Sequence, residues 1–272
     1  MNNPALPLEQ ELERIAAAAF DFVDLTLEPP GAWPVESATV ARMVRERGIG
    51  IVGHTAYFLP IASPYPELRE QAAELFERAF DVFAEAGATH VNVHADPMTR
   101  PVEEAVERNA EAIGGLAERA AARGLTLMLE NLGRSFARVT DLRPIFEAVE
   151  SLAFHLDVGH AHMGRRPDEP NRTGELLEAF GSRLAHVHVH DNRGIDDLHL
   201  PLGVGSIDWP EVVRELKAAG YDGTVTLEIF GEERSYLGVS RRLWLEWWKN
   251  IGSSEKDEED ERPGSGRVFG AC

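Results

Sequence analysis

The sequence predicts an α/β protein of the (β/α)8, or TIM-barrel, class. It divides into one domain over residues 1–251 and a disordered acidic tail over 252–272. Three observations carry this reading. Short runs rich in Val, Leu, Ile and Phe alternate with longer Ala/Glu/Arg-rich segments of helical spacing, the mark of a parallel sheet wrapped by helices. The short runs are apolar on both parities, as strands buried on both faces are. Most of them close on a carboxylate or an imidazole, at the strand end where barrels carry their sites.

The elements follow in order. "LEQELERIAAAA" is an amphipathic opening helix. Strands are predicted at "FDFVDLTL" (20–27), "GIGIVGHT" (48–55), "ATHVNVHA" (88–95), "LTLMLEN" (125–131), "LAFHLDV" (152–158), "RLAHVHVH" (183–190) and "GTVTLEIF" (223–230). Between them, "SPYPELREQAAELFERAFDVFAEAG", "PVEEAVERNAEAIGGLAERAAARG", "VTDLRPIFEAVE", "NRTGELLEAFG" and "DWPEVVRELKAAG" have helical spacing, and several end in the glycine that stops a helix. An eighth stave has room only at residues 1–8, where "NPALPL" is a poor strand, so either the first strand is degenerate or the barrel is imperfectly closed there. "EERSYLGVSRRLWLEWWKN" is a last helix whose Trp244, Trp247 and Trp248 fall at packing intervals. The Gly-, Ser- and acid-rich residues beyond 251 cannot build a core.

Composition narrows the function. Of 272 residues, 43% are hydrophobic, enough for a sizeable core, yet no run reaches membrane-spanning length. "MNNPALPLEQELERI" lacks a basic-then-apolar leader, which sets a cytoplasmic expectation. Cys272 is the single cysteine, so a disulfide framework and thiolate metal ligation are both excluded, and any metal must be held by nitrogen and oxygen. The net charge of −19 argues against nucleic acid as a partner, since phosphate binding leaves a basic footprint.

The strand ends carry His54, His94, Glu130, Asp157 with His160, His188 with His190, and Glu228, and the loop "DDLHL" adds Asp197 and His199. Each has an ordinary reading alone: a lone His is usually a hydrogen-bonded or surface residue, and Glu130 or Asp157 could cap a turn. Together they converge on one rim, where acids without a cation would lose solvation and repel. A divalent metal resolves that conflict, and mixed carboxylate and imidazole ligation suits Mn2+, Zn2+, Co2+, Fe2+ or Mg2+. In "HVHVHDNR", alternation turns His186, His188 and His190 into the barrel. His188, near the mouth, is the ligand candidate, and the deeper His186 a packed residue.

The ordered set "LENLG", "HLDVGHAHMG", "HVHVHDNRG", "DLHLPLGVGSIDW" and "VTLEIFG" resembles the xylose-isomerase-like TIM barrels. That superfamily includes sugar phosphate isomerases/epimerases, ketose 3-epimerases and endonuclease IV-type abasic-site endonucleases. The resemblance to the epimerases implies a metal held by Glu130, Asp157, His188 and Glu228. The two glutamates would serve as acid and base, through a cis-enediolate. His160 and Arg193 would bind substrate, with Arg193 one position closer to the His strand than the epimerase pattern has it; Tyr57, a further substrate-binding candidate, matches a Tyr three residues past the first His in the endonuclease type. The expected activity is metal-dependent isomerisation or epimerisation of a small sugar or sugar phosphate. The endonuclease resemblance implies further metal ligands at His54, His94, His160, Asp197 and His199, and phosphodiester cleavage at abasic DNA as the alternative. Against it, "LTLEPPGAWPVES", where a DNA-recognition loop would come, contains no Lys or Arg. Copies of the same chain remain an open partner.

Overall fold

The computed structural model describes residues 1–96, 98, 103–164, 171–231, 233–251 and, as backbone, 269–271. Eight parallel strands close into a barrel in sequence order. They are β1 Phe22–Thr26, β2 Gly50–His54, β3 His90–His94, β4 Thr126–Glu130, β5 Ala153–Asp157, β6 Leu184–Val189, β7 Thr224–Leu227 and β8 Phe269–Ala271. The helices are α1 Leu8–Ala17, α2 Ser37–Arg47, α3 Pro66–Ala86, α4 Glu103–Ala121, α5 Val139–Ala148, α6 Val158–His162, α7 Thr173–Phe180, α8 Trp209–Ala218 and α9 Ser235–Asn250. Among the described residues, no helix is long and apolar enough to cross a membrane.

All seven apolar runs are strands. The eighth stave lies elsewhere than residues 1–8: it is β8, which pairs with β1 through Phe22↔Gly270 and with β7 through Val225↔Phe269. Without it, β1 and β7 would leave unpaired N–H and C=O groups at an open edge. Residues 252–268 and 272 of the expected tail lie outside the described residues. The N-terminal segment flanks β1 in a different way. Asn2 donates its backbone N–H to Asp24 O at 3.2 Å, and its side-chain amide brackets Thr26, accepting from Thr26 N at 2.7 Å and donating to Thr26 O at 3.1 Å. A side chain there does what a ladder would do.

Helices α8 and α9 cover the barrel with an indole cluster. Trp209 stacks on Trp247 at 6.2 Å, and the buried Trp244 and Trp248 lie 5.7 Å apart. Asp208 caps α8 by accepting Glu211 N at 3.0 Å, and Pro210 in the first turn suits a position whose N–H needs no partner.

The barrel interior is layered. Phe22, Val52 and Met128 form an apolar cluster, and Val52 and Met128 pair in register with the buried polar Asp24 and Asn92. His155, His186 and Thr226 are further buried polar groups of this interior. Residues two further along each strand form the rim, because side chains on a strand repeat every second position on one face. Register then sets neighbours there: Thr26 beside His54, His94 beside Glu130, and Asp157 beside His188.

Candidate metal centre and active site

The rim residues surround the ring of His188. Its Nδ1 lies 3.1 Å from Glu228 Oε2, 3.8 Å from Asp157 Oδ2 and 3.9 Å from Glu130 Oε1. Glu130, Asp157 and His188 are fully buried and Glu228 nearly so. Ligands about 2.0–2.2 Å from one ion stand roughly 3–3.6 Å apart, so these four donors are close to one coordination sphere.

Glu130 is held from its other side. Its Oε2 accepts from Asn92 Nδ2 at 2.8 Å and lies 2.9 Å from His94 Nε2, with His54 Nε2 at 3.8 Å. Burial raises the Glu130 carboxyl, but the His155, His94 and His188 rings reverse this and hold it well below the usual carboxylate range. Glu228 is also lowered: burial opposes ionisation and the His188 and His199 rings outweigh it. Burial pushes His54 down to about 4, leaving it a neutral imidazole.

A third grouping sits at the lip. Asp197 Oδ2 lies 3.1 Å from both His160 Nε2 and His199 Nε2. The opposite nitrogens are anchored on backbone: His160 Nδ1 donates to Asn131 O at 3.0 Å and His199 Nδ1 to Glu228 O at 2.9 Å. Such anchoring fixes which nitrogen faces the centre. Burial lowers both imidazoles, but the carboxylates win. Asp157 and Asp197 raise His160 well above its ordinary value, and Glu228 and Asp197 raise His199 to about 9.

Two glycines make room. A Cβ on Gly159 would fall 2.1 Å from the ring of buried His190, which lies 3.2 Å from Asp157 Oδ1 and stacks on His199 at 4.1 Å. A Cβ on Gly205 would fall 2.1 Å from Asp191 Oδ1. Buried Asp191 ties down the loop carrying Asp197 and His199. Its carboxylate accepts from Asn192 N at 2.9 Å, Gly203 N at 2.9 Å, Ile207 N at 3.3 Å and Trp209 Nε1 at 3.0 Å, and its backbone pairs with Leu200. The glycine-rich stretch "LGVGS" wraps this one carboxylate.

Above these groups opens a cavity of about 590 Å³, lined by the polar His54, His94, Glu130, His160, Asp197, His199 and Glu228. Met1, Pro4, Tyr57, Leu132, Met163 and Phe230 also line it. The donor set fits a divalent ion. Oδ2 of Asp157, Nδ1 of His54 and of His94, and both ring nitrogens of His190 are buried without a hydrogen-bond partner. Donor triads His54–His94–Glu130, Asp157–His160–His190, His54–His188–Glu228 and His190–His199–Glu228 each lie within 4.8 Å. Orphaned buried polar atoms clustered in this way are groups that an ion could satisfy.

The sequence candidates thus meet at one rim, with one exception. Tyr57 lines the cavity and is 55% exposed, whereas Arg193 is exposed and outside the lining. The cation at the mouth is Arg134, which donates to Asp196 Oδ1 at 3.1 Å. Sequence reasoning did not single out Asp24, His155 or Glu28. The first two carried a readable signal, a polar residue on the inward parity of an apolar strand in "FVDLT" and "AFHLD". Glu28 lines the cavity just past β1, with burial raising its carboxyl against the pull of His94.

Known proteins resemble the chain over most of its length. The uncharacterized protein MJ1311 of Methanocaldococcus jannaschii is 30% identical over 234 residues, covering 81% of this chain and 78% of its own. A ketose 3-epimerase of Arthrobacter globiformis is 26% identical over 266 residues, covering 92% and 86%. The crystal structure of a D-tagatose 3-epimerase-like protein superposes with a TM-score of 0.79 at 25% identity, over 90% of this chain and 94% of that one. The model of the xylose isomerase-like TIM barrels matches residues 12–250, and the chain belongs to that family.

Proposed function

We propose that the protein is a divalent-metal-dependent epimerase or isomerase of a small sugar, exchanging a proton at the carbon beside a carbonyl. The observation that carries this is the placing of two buried carboxylates, Glu130 and Glu228, within 4 Å of the same His188 nitrogen at the base of the cavity. The 3-epimerase relatives support the reaction class. Glu130, Asp157, His188 and Glu228 would hold the ion; Mn2+, Zn2+, Co2+ and Mg2+ all accept such donors. When bound, it supplies Lewis acidity toward substrate oxygens and stabilises negative charge next to the carbonyl.

The chain's own groups do the rest. Glu130 and Glu228 come from β4 and the end of β7, so the substrate lies between them. One takes the proton from one face of the carbon and the other returns it on the opposite face, through a cis-enediolate. Asn92 and His94 fix the Glu130 carboxylate, while His188 and His199 flank that of Glu228. His160 and Tyr57 bond substrate oxygens, and the apolar wall of Leu132, Met163 and Phe230 excludes water. Among the described residues, Arg134 is the one Lys or Arg lining the cavity, and it already faces Asp196. This favours an uncharged sugar over a sugar phosphate, which needs converging cations or backbone N–H groups.

The test is a panel of free and phosphorylated ketoses incubated in D2O with Mn2+-loaded and chelator-stripped protein. Deuterium should enter beside the carbonyl of a free ketose with the loaded form alone. Absence of exchange across the panel with metal bound would end the reading. One observation favours a second function, phosphodiester cleavage at abasic DNA: the donors fall into three groups, including Asp197 with His160 and His199. Three tightly bound ions per chain together with nicking of an abasic duplex would support it; about one ion without nicking supports the epimerase.

A further inference from the structure

Beneath the rim lies a carboxylate that the proton-transfer scheme does not use. Asp24 projects into the barrel from the middle of β1 and is fully buried. Its Oδ2 lies 2.5 Å from His188 Nε2 and 3.1 Å from His186 Nε2. An ionised carboxylate only accepts, so both imidazoles donate to it. His186 is fixed in turn by Thr224 Oγ1 at 2.6 Å on Nδ1 and by Thr226 Oγ1 at 3.0 Å on Nε2.

The two nitrogens of His188 therefore face opposite ways, Nε2 down to Asp24 and Nδ1 up to Glu130, Asp157 and Glu228. We propose that Asp24 is the positioning residue of the metal centre: it keeps the proton of His188 on Nε2, so that the Nδ1 lone pair faces the ion. A carboxylate on the far nitrogen also makes the imidazole a more basic ligand and bars a ring flip that would turn carbon toward the ion. The inference rests on the reading of His188 as a ligand, but not on the sugar chemistry.

Zinc affinity of the full chain tests it without any substrate. Asp24→Asn keeps shape and removes charge; it should raise the zinc Kd about 10–100-fold while leaving the number of ions bound at saturation unchanged. Thr226→Val disturbs the same layer and removes a hydrogen bond to His186 but none to His188, its register neighbour; it should stay within about two-fold of the parent. In zinc-loaded parent protein with 15N-labelled histidine, His188 should carry its proton on Nε2 and the metal on Nδ1, a readout that stands even if Asp24→Asn does not fold. An unchanged Kd in Asp24→Asn, the loss of a whole ion on that substitution, an equal effect of Thr226→Val, or zinc on Nε2 would each overturn the proposal. A parent that binds no zinc overturns it as well. If the parent binds zinc with these signatures but exchanges no ketose proton, the proposed activity fails and the role of Asp24 stands.

Discussion

Replacing Asp191 by asparagine removes charge from the carboxylate that anchors the loop between β6 and α8, without changing its size. In the structure four N–H donors converge on its two oxygens, from Asn192, Gly203, Ile207 and Trp209. Asparagine keeps one acceptor oxygen and turns an NH2 toward the other pair of donors. A hydrogen bond to a charged group contributes about 1.5–3 kcal/mol, so the two lost hydrogen bonds cost about 3–6 kcal/mol. At about 2–4 °C per kcal/mol for a chain of this size, melting should fall by roughly 6–24 °C. Calorimetry of the chelator-stripped protein isolates this effect from metal binding. Because the loop carries Asp197 and His199, the variant should also bind metal more weakly. Melting within about 2 °C of the parent would refute the account of how this loop is held.

Other perturbations follow from the same geometry. Gly159→Ala drives a methyl into the ring of buried His190, and overpacking of this kind costs about 1–3 kcal/mol. Thermal unfolding should show that loss together with weaker metal binding, because His190 contacts Asp157 and His199; unaltered melting would show that the ring has room to move. The pH dependence has a definite sign in the metal-free protein. His199 titrates near 9 when folded and near 6.5 when unfolded, and His160 and His188 are raised too. Their stabilisation is complete below about pH 6.5 and is lost as pH rises, for His199 toward 9. Each such proton contributes about 1.4 kcal/mol per pH unit over that window. Melting of the stripped protein should fall between those limits. Saturating metal should lessen the fall, since ligation requires the deprotonated imidazole of His188. A flat profile in the stripped protein would contradict the ion-paired histidines.

Much of this architecture is legible in the chain. "FDFVDLTL" and "LTLMLEN" read as strands because parallel staves are buried on both faces, and Glu130, Asp157, His188 and Glu228 stand out because a charge at the end of such a run is costly without a partner. The helix Ser37–Arg47 escaped notice: "SATVARMVRER" buries just Val40, Ala41 and Val44, too narrow a stripe to stand out. β8 was hidden because three residues carry no periodicity, and closure of the barrel depends on partners far away in sequence. Arg193 illustrates a different limit. Spacing along a loop does not fix direction, and the turn at Gly194 leaves that side chain in solvent. Asp24 was readable only as an anomaly in an apolar strand; its link to His188 crosses the barrel.

Glu130 and Glu228 as a proton-transferring pair are tested most directly by deuterium uptake beside the carbonyl of the ketose substrate in D2O. The parent should be compared with Glu130→Gln and Glu228→Gln at equal metal occupancy. Each amide should keep the parent's circular dichroism and lose exchange by about 10²–10⁴-fold. Near-parental exchange in either variant would contradict the assignment of both carboxylates.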